Sequence, residues 1–180
     1  MPLLHKALSM TVSLKKDIKP IRKKNIMNYT ELGDRQNISN DIKLSKIYSQ
    51  FRELLNELKK KELSQNIVAI INDCVRNINS STLMGSQLRK LIKENQTSIL
   101  KQTQKELKIV PQNYYRNLWM LSGFTVFGLP IGIIFGAIIG NMGLLVIGLP
   151  IGMAIGATIG LGMDKKAYKE GRQLNLEIKY

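Results

Sequence analysis

The chain has 180 residues, of which 44% are hydrophobic, and a formal net charge of +14 at pH 7. That length accommodates one small domain together with a membrane segment. A single cysteine, Cys74, excludes an intramolecular disulfide and a multi-thiolate metal site. No nucleophile–base pair, phosphate-binding loop or cluster of acids with histidine is visible, so the sequence predicts no enzyme, no cofactor and no metal.

Residues 1–40 are predicted to form a flexible basic arm. The first thirty residues carry seven basic side chains and one acid, Asp17. Polar residues interrupt the apolar run before Lys15, which disfavours a secretory signal. An organelle presequence or a lipid-touching amphipathic segment is compatible with the same composition, and Met27 is an alternative start.

Residues 41–111 are predicted to fold as a bundle of three amphipathic helices. Apolar side chains recur at three- and four-residue steps, Ser64 is a candidate cap for the second helix, and the third runs from about Thr82 until Pro111 ends it. The core of such a bundle is thin, so self-association is an expected source of further stability. The predicted inward positions are Ile42, Leu44, Ile47, Phe51, Leu54, Leu55 and Leu58, then Ile67, Ile70, Ile71, Cys74, Val75 and Ile78, then Met84, Leu88, Leu91, Ile92, Ile99 and Leu107.

An aromatic and basic junction at residues 112–117 leads into an apolar stretch, and a basic tail at residues 164–180 follows that stretch. Aromatic rings with a polar edge favour the headgroup layer of a membrane, and long cationic side chains reach lipid phosphates there. The predicted membrane-interface residues are Tyr114, Tyr115, Arg116, Trp119, Lys165 and Lys166.

Residues 118–163 are predicted to form a two-helix transmembrane hairpin. No charged residue occurs from Asn117 to Met163. One crossing needs about 20 apolar residues, so this run is long enough for two crossings and a turn at residues 140–143. We predict a first helix from about Leu118 to Ile139 and a second from about Leu144 to Met163.

Two phrases, GLPIGIIFGAIIG and GLPIGMAIGATIG, place glycine at every fourth position of both predicted helices. Residues four apart lie on one face of a helix, so each ladder makes a groove without side chains through which backbones approach closely in lipid. The predicted helix-packing residues are Gly128, Gly132, Gly136 and Gly140 in the first helix and Gly148, Gly152, Gly156 and Gly160 in the second.

Pro130 and Pro150 occupy matching places inside the two GLPIG phrases. Each removes a backbone donor. A mild kink in a membrane helix is the favoured interpretation, and a short helix beginning at each proline, as in half-crossings that line a cavity, is the alternative.

The runs KELKIVPQNYYRNLWM and MDKKAYKEGRQL, together with the two GLPIG phrases, resemble a bacterial family of small glycine-zipper membrane proteins of uncharacterised function. The likeness covers about residues 40 to 180. It implies a membrane location and close helix packing, and it brings no catalytic residues.

The predicted architecture is therefore all-α: a small cytosolic helical bundle followed by a transmembrane hairpin packed through GxxxG ladders. We expect a multi-pass protein of the cell (inner) membrane with both termini cytosolic, because basic residues flank both crossings and the connecting turn is uncharged. The expected partners are anionic lipid headgroups, further copies of the chain through the glycine ladders, and a cytosolic protein. Nucleic acid is not expected, because no reading module is visible. The predicted role is a self-associating anchor or scaffold, and an oligomeric pore is the alternative.

Overall fold

Helices are the only regular secondary structure that packs the described residues into a fold. The computed structural model describes residues 28–35, 38, 41–141, 143 and 145–179. These contain five helices and no strand, which confirms the predicted all-α class. The helices are α1 (Ile42–Lys59), α2 (Gln65–Ser80), α3 (Gly85–Leu107), α4 (Tyr114–Ile139) and α5 (Leu145–Lys169).

The bundle helices begin at side-chain caps or at turns. The Asp41 carboxylate accepts the backbone N–H groups of Lys43 and Leu44, both at 3.0 Å, at the start of α1. Ser64 caps α2 as predicted. Helix α3 begins at Gly85 rather than Thr82, and it ends because Lys108 adopts a left-handed conformation with φ 56°.

Helix α3 packs against both α1 and α2, and the three helices share one apolar core. Most of the predicted inward residues are buried or partly buried there. The predicted inward positions of Ile42 and Met84 are wrong, since these residues are 71% and 70% exposed. Ile42 is the first residue of α1 and Met84 precedes α3, so neither side chain lies over the core. Fully buried core side chains include Phe51, Leu54, Leu58, Ile67, Val75, Ile78, Ile92 and Ile99.

The C-terminal tail completes this core. Leu174 and Leu176 are buried among the bundle side chains. Backbone bonds hold the tail beside the segment that follows α3: Val110 N–H donates to the Arg172 carbonyl at 3.0 Å, and Leu174 N–H donates to the Val110 carbonyl at 2.9 Å. The predicted basic tail is therefore part of the bundle, and helix α5 runs past the predicted end at Met163 to Lys169.

An extended segment preceding α1 lies along α2. The side chain of Asn72 accepts the Thr30 N–H at 2.8 Å and donates to the Asn28 carbonyl at 2.9 Å. Asn79 repeats the pattern with the Gly33 N–H and the Glu31 carbonyl. Residues 28–35 of the predicted flexible arm are thus bound to the bundle. The amide side chains of two asparagines on one face of α2 bond to backbone groups of this segment, as a neighbouring strand would in a sheet. Residues 1–27 lie outside the described residues.

Helices α4 and α5 pack against each other along their length. Both are long and apolar enough to cross a membrane, by length and composition. Helix α4 begins at Tyr114 rather than Leu118, so the junction residues 114–117 form its first turn.

Candidate membrane-interface and helix-packing site

The glycines of α5 lie against the backbone of α4. A Cβ added at Gly152 would come within 3.0 Å of backbone atoms of Gly128 and Gly123. A Cβ at Gly160 would come equally close to the backbone of Tyr115 and Arg116. No side chain fits at either place, so the contact depends on the missing Cβ. All four predicted α5 positions are buried: Gly148, Gly152, Gly156 and Gly160.

The α4 ladder differs from the predicted one at its two ends. Gly128 and Gly132 face the backbone of Leu149 and Leu145, and Gly136 is buried. A Cβ added at Gly140 would meet nothing within 4 Å, and the residue's φ of 70° ends the helix. It therefore terminates α4 and does not pack against α5.

Gly123 takes part in the contact although it stands five residues before Gly128. Five residues of an α-helix rotate about 500°, which would place Gly123 roughly 140° away from the Gly128 face. The five residues Phe124–Gly128 form a π turn, whose wider i→i+5 bonding accommodates one extra residue. The turn restores the register, and Gly152 consequently meets both glycines.

The two prolines lie in different local backbone structures. Pro130 is the second residue after the π turn, and Pro150 lies inside the uninterrupted helix α5. A widened turn accommodates a proline ring and the carbonyl it leaves without a donor. No new helix begins at Pro150, which favours the mild-kink interpretation there.

A buried carboxylate joins the two helices at the end of the hairpin where α4 begins. Asp164 is 6% exposed, and its two oxygens accept the backbone N–H groups of Tyr115 at 3.1 Å and Arg116 at 2.9 Å. Asn113, the residue immediately before α4, provides no side-chain cap for that helix. Asp164 of α5 therefore caps α4, where free N–H groups and the helix dipole favour an anion.

The structure brings the predicted interface residues to one end of the hairpin. The Tyr114 and Tyr115 rings meet edge to face, with centroids 5.1 Å apart. The Arg116 guanidinium lies 3.6 Å from the Glu177 carboxylate of the tail. At the end of α5, the side chains of Lys165 and Lys166 are exposed. Trp119 is half-buried, and its carbonyl lies against Gly156.

Three polar side chains of the hairpin bond to nearby backbone. The Thr125 hydroxyl donates to the Ser122 carbonyl at 3.0 Å, and the Thr158 hydroxyl donates to the Ala154 carbonyl at 2.9 Å. At the turn, the Asn141 side chain accepts the Gly143 N–H at 2.9 Å. The protons of both threonine hydroxyls are therefore used within their own helices.

Glu57 connects the bundle to the tail. Its buried carboxylate accepts the Lys60 ammonium at 2.5 Å and the Asn175 N–H at 3.0 Å. The hydrogen bond from Lys60, then the one from Asn175, lowers the pKa of Glu57 below its ordinary value. The charged form is thus the one that holds the tail.

Sequence reasoning missed Gly123, Asp164 and Glu57. Asp164 had a readable signal, because it stands four residues after Gly160 and continues the same face. The role of Glu57 in holding the tail had none, since Asn175 lies on a distant part of the chain.

Comparison of the chain with protein-family models, curated proteins and solved structures finds no match. Among the described residues, no group of three or more acids, histidines or cysteines is arranged to hold a metal ion. The resemblance to glycine-zipper membrane proteins stays a prediction drawn from the motifs.

Proposed function

We propose that this chain is an integral membrane scaffold without catalytic activity, anchored in the cell membrane by the α4–α5 hairpin. The observation that carries the proposal is the outer surface of the hairpin. Large apolar side chains face outward along both helices, including Val126 at 57%, Ile138 at 78% and Val146 at 66% exposed. The interior contact between the helices uses glycine backbone in place of these side chains. In water that surface would be an unpaired apolar patch, whereas lipid covers it without cost.

The tail supports the proposed orientation. Leu174 and Leu176 follow the second proposed crossing and are buried in the bundle that precedes the first. Their burial supports a topology with bundle and tail on the same side of the membrane and an even number of crossings. Basic residues at both flanks favour the cytosolic side.

An anchor is favoured over a pore by the chemistry of the hairpin. A water-filled pore needs polar groups along its wall. The hydroxyls of Thr125 and Thr158 are bonded to their own helices, and the outward side chains are mostly apolar. The described part of the hairpin offers little to line a channel.

We also propose that copies of the chain associate through the glycine ladders. The glycines of each helix already contact the other helix of the same chain. An oligomer built on these faces would exchange hairpin helices between copies. The bundle is the part that a cytosolic protein partner would contact.

The topology is tested with single cysteines in a Cys74→Ser background, expressed in bacterial cells. We expect Asn141→Cys to react with a membrane-impermeant thiol reagent on intact cells. The exposed Lys169→Cys should react only after the cells are opened. All variants should resist extraction from membranes at alkaline pH. Labelling of residue 169 but not 141 on intact cells would show the opposite orientation. Extraction of the protein from membranes at alkaline pH would refute the anchor.

A further inference from the structure

A cationic groove lies between α1 and α3. It encloses about 1230 Å³, and its walls carry Lys43 and Lys46 from α1, Lys93 and Lys101 from α3, and Lys179 from the tail. Within the described part of the chain, none of these five has an ion-pair partner. Two further cations of the wall have carboxylate partners: Arg89 pairs with Asp41, which lies outside the groove, and Lys90 pairs with Glu94. The groove is therefore a concentration of free positive charge.

An apolar cavity of about 450 Å³ adjoins this groove where the bundle meets α4. Leu100, Val110, Leu118 and Leu121 contribute to its lining. Thr97 and Lys101 line both spaces, and the adjacent tail residues Ile178 and Lys179 line one each. The two spaces therefore form one continuous surface that is cationic at one end and apolar at the other.

This arrangement matches the chemistry of a phospholipid. Lys90, Lys93, Thr97 and Lys101 follow one another at three- and four-residue steps along one face of α3, over roughly 16 Å of helix. Leu118 and Leu121, at 46% and 71% exposed, belong to the segment that we propose lies in the membrane. A headgroup phosphate beside the lysines would leave an acyl chain directed along these leucines.

We propose that this composite groove binds one anionic phospholipid of the surrounding bilayer, with the phosphate at Lys93 and Lys101 and an acyl chain against Leu118 and Leu121. Charge complementarity selects an anionic headgroup, and the apolar cavity selects a lipid over a free phosphate. The inference rests on the proposed membrane insertion.

The test uses the full chain purified in detergent, with bound lipid counted by native mass spectrometry. Phosphatidylglycerol, phosphatidylcholine and soluble glycerol phosphate are added in separate arms. The double variant Lys93→Gln with Lys101→Gln is compared with Lys105→Gln with Lys108→Gln, which removes equal charge from the end of the same helix outside both cavities. We expect retention of phosphatidylglycerol over phosphatidylcholine, and a loss of about 30-fold in its affinity for the first variant only.

Two results would overturn the inference. Equal phosphatidylglycerol binding by the two double variants would show that the groove lysines do not hold the lipid. Tight binding of glycerol phosphate that the first variant abolishes would show a phosphate site without a lipid. Alkaline extraction of the same variants from membranes keeps this separate from the proposed function: a membrane-bound protein without lipid preference refutes only the groove.

Discussion

Asp164 illustrates how one residue joins two helices at the proposed membrane interface. It follows Gly160 by four residues and lies on the glycine face of α5. The absent side chain at Gly160 lets α5 approach the first turn of α4, and the carboxylate then reaches the N–H groups of Tyr115 and Arg116. A helix end that enters a poorly hydrated layer needs such a partner, because unsatisfied N–H groups are costly there.

Replacing Asp164 with Ala should free the first turn of α4. We expect a loss of about 1–2 kcal/mol in the free energy of unfolding in detergent, the usual range for a lost helix cap. The amides of Tyr115 and Arg116 should lose protection against hydrogen exchange, while those of α2 keep theirs. Asp164→Asn keeps one acceptor oxygen, so its free energy of unfolding should lie between those of the wild type and Asp164→Ala. Unchanged amide protection in Asp164→Ala would contradict the capping role.

At the scale of elements, the α4–α5 contact depends on register as much as on composition. Gly123 and Gly128 are five residues apart, and only the π turn Phe124–Gly128 brings both to Gly152. Pro130, two residues after this turn, removes a backbone donor close to the place where the bonding pattern already changes. The turn and the proline therefore act together to keep α4 in contact with α5 along its length.

Two glycines of α5 offer a matched pair of substitutions. Gly152→Ala places a Cβ within 3.0 Å of the α4 backbone, whereas a Cβ at Gly162 meets nothing within 4 Å. We expect the first to destabilise the hairpin by about 1–3 kcal/mol through overpacking. Gly162→Ala should stabilise α5 by up to about 1 kcal/mol, because Ala is the better helix former. Thermal unfolding in detergent measures both signs, and equal shifts for the two variants would rule out a backbone contact at Gly152.

The parts predicted from the sequence are those with a regular period. The three amphipathic helices and the α5 ladder repeat at steps of three or four residues, which a helix converts directly into one face. The π turn was not predicted, because its five-residue step disrupts that period without a distinctive residue type. The docking of Leu174 and the bond from Asn175 to Glu57 were also missed, since contacts between distant segments leave no local pattern.

For the whole molecule, the tail makes the bundle and the hairpin one structure. The chain leaves the bundle at Val110, passes through α4 and α5, and returns beside Val110 at Gln173. Lys61 donates to the Gly171 carbonyl at 2.7 Å, and the Arg172 guanidinium donates to the Lys108 carbonyl at 2.9 Å. The thin three-helix core is thereby enlarged by residues that follow the hairpin, within a single copy of the chain.

This closure should depend on pH through Glu57. Its pKa is lowered in the folded chain, so its contribution is present above the ordinary pKa of glutamate and is lost as the pH falls through the lowered pKa. We expect Glu57→Gln to reduce the free energy of unfolding by about 1–3 kcal/mol at pH 7, where the wild-type carboxylate is charged and hydrogen-bonded. The difference between wild type and variant should shrink as the pH is lowered through the acidic range. Glu53→Gln on the exposed face of α1 is the control and should follow the wild type throughout. Thermal unfolding in detergent across this range measures the effect, and a Glu57→Gln deficit that stays constant with pH would show that the charge of Glu57 does not hold the tail.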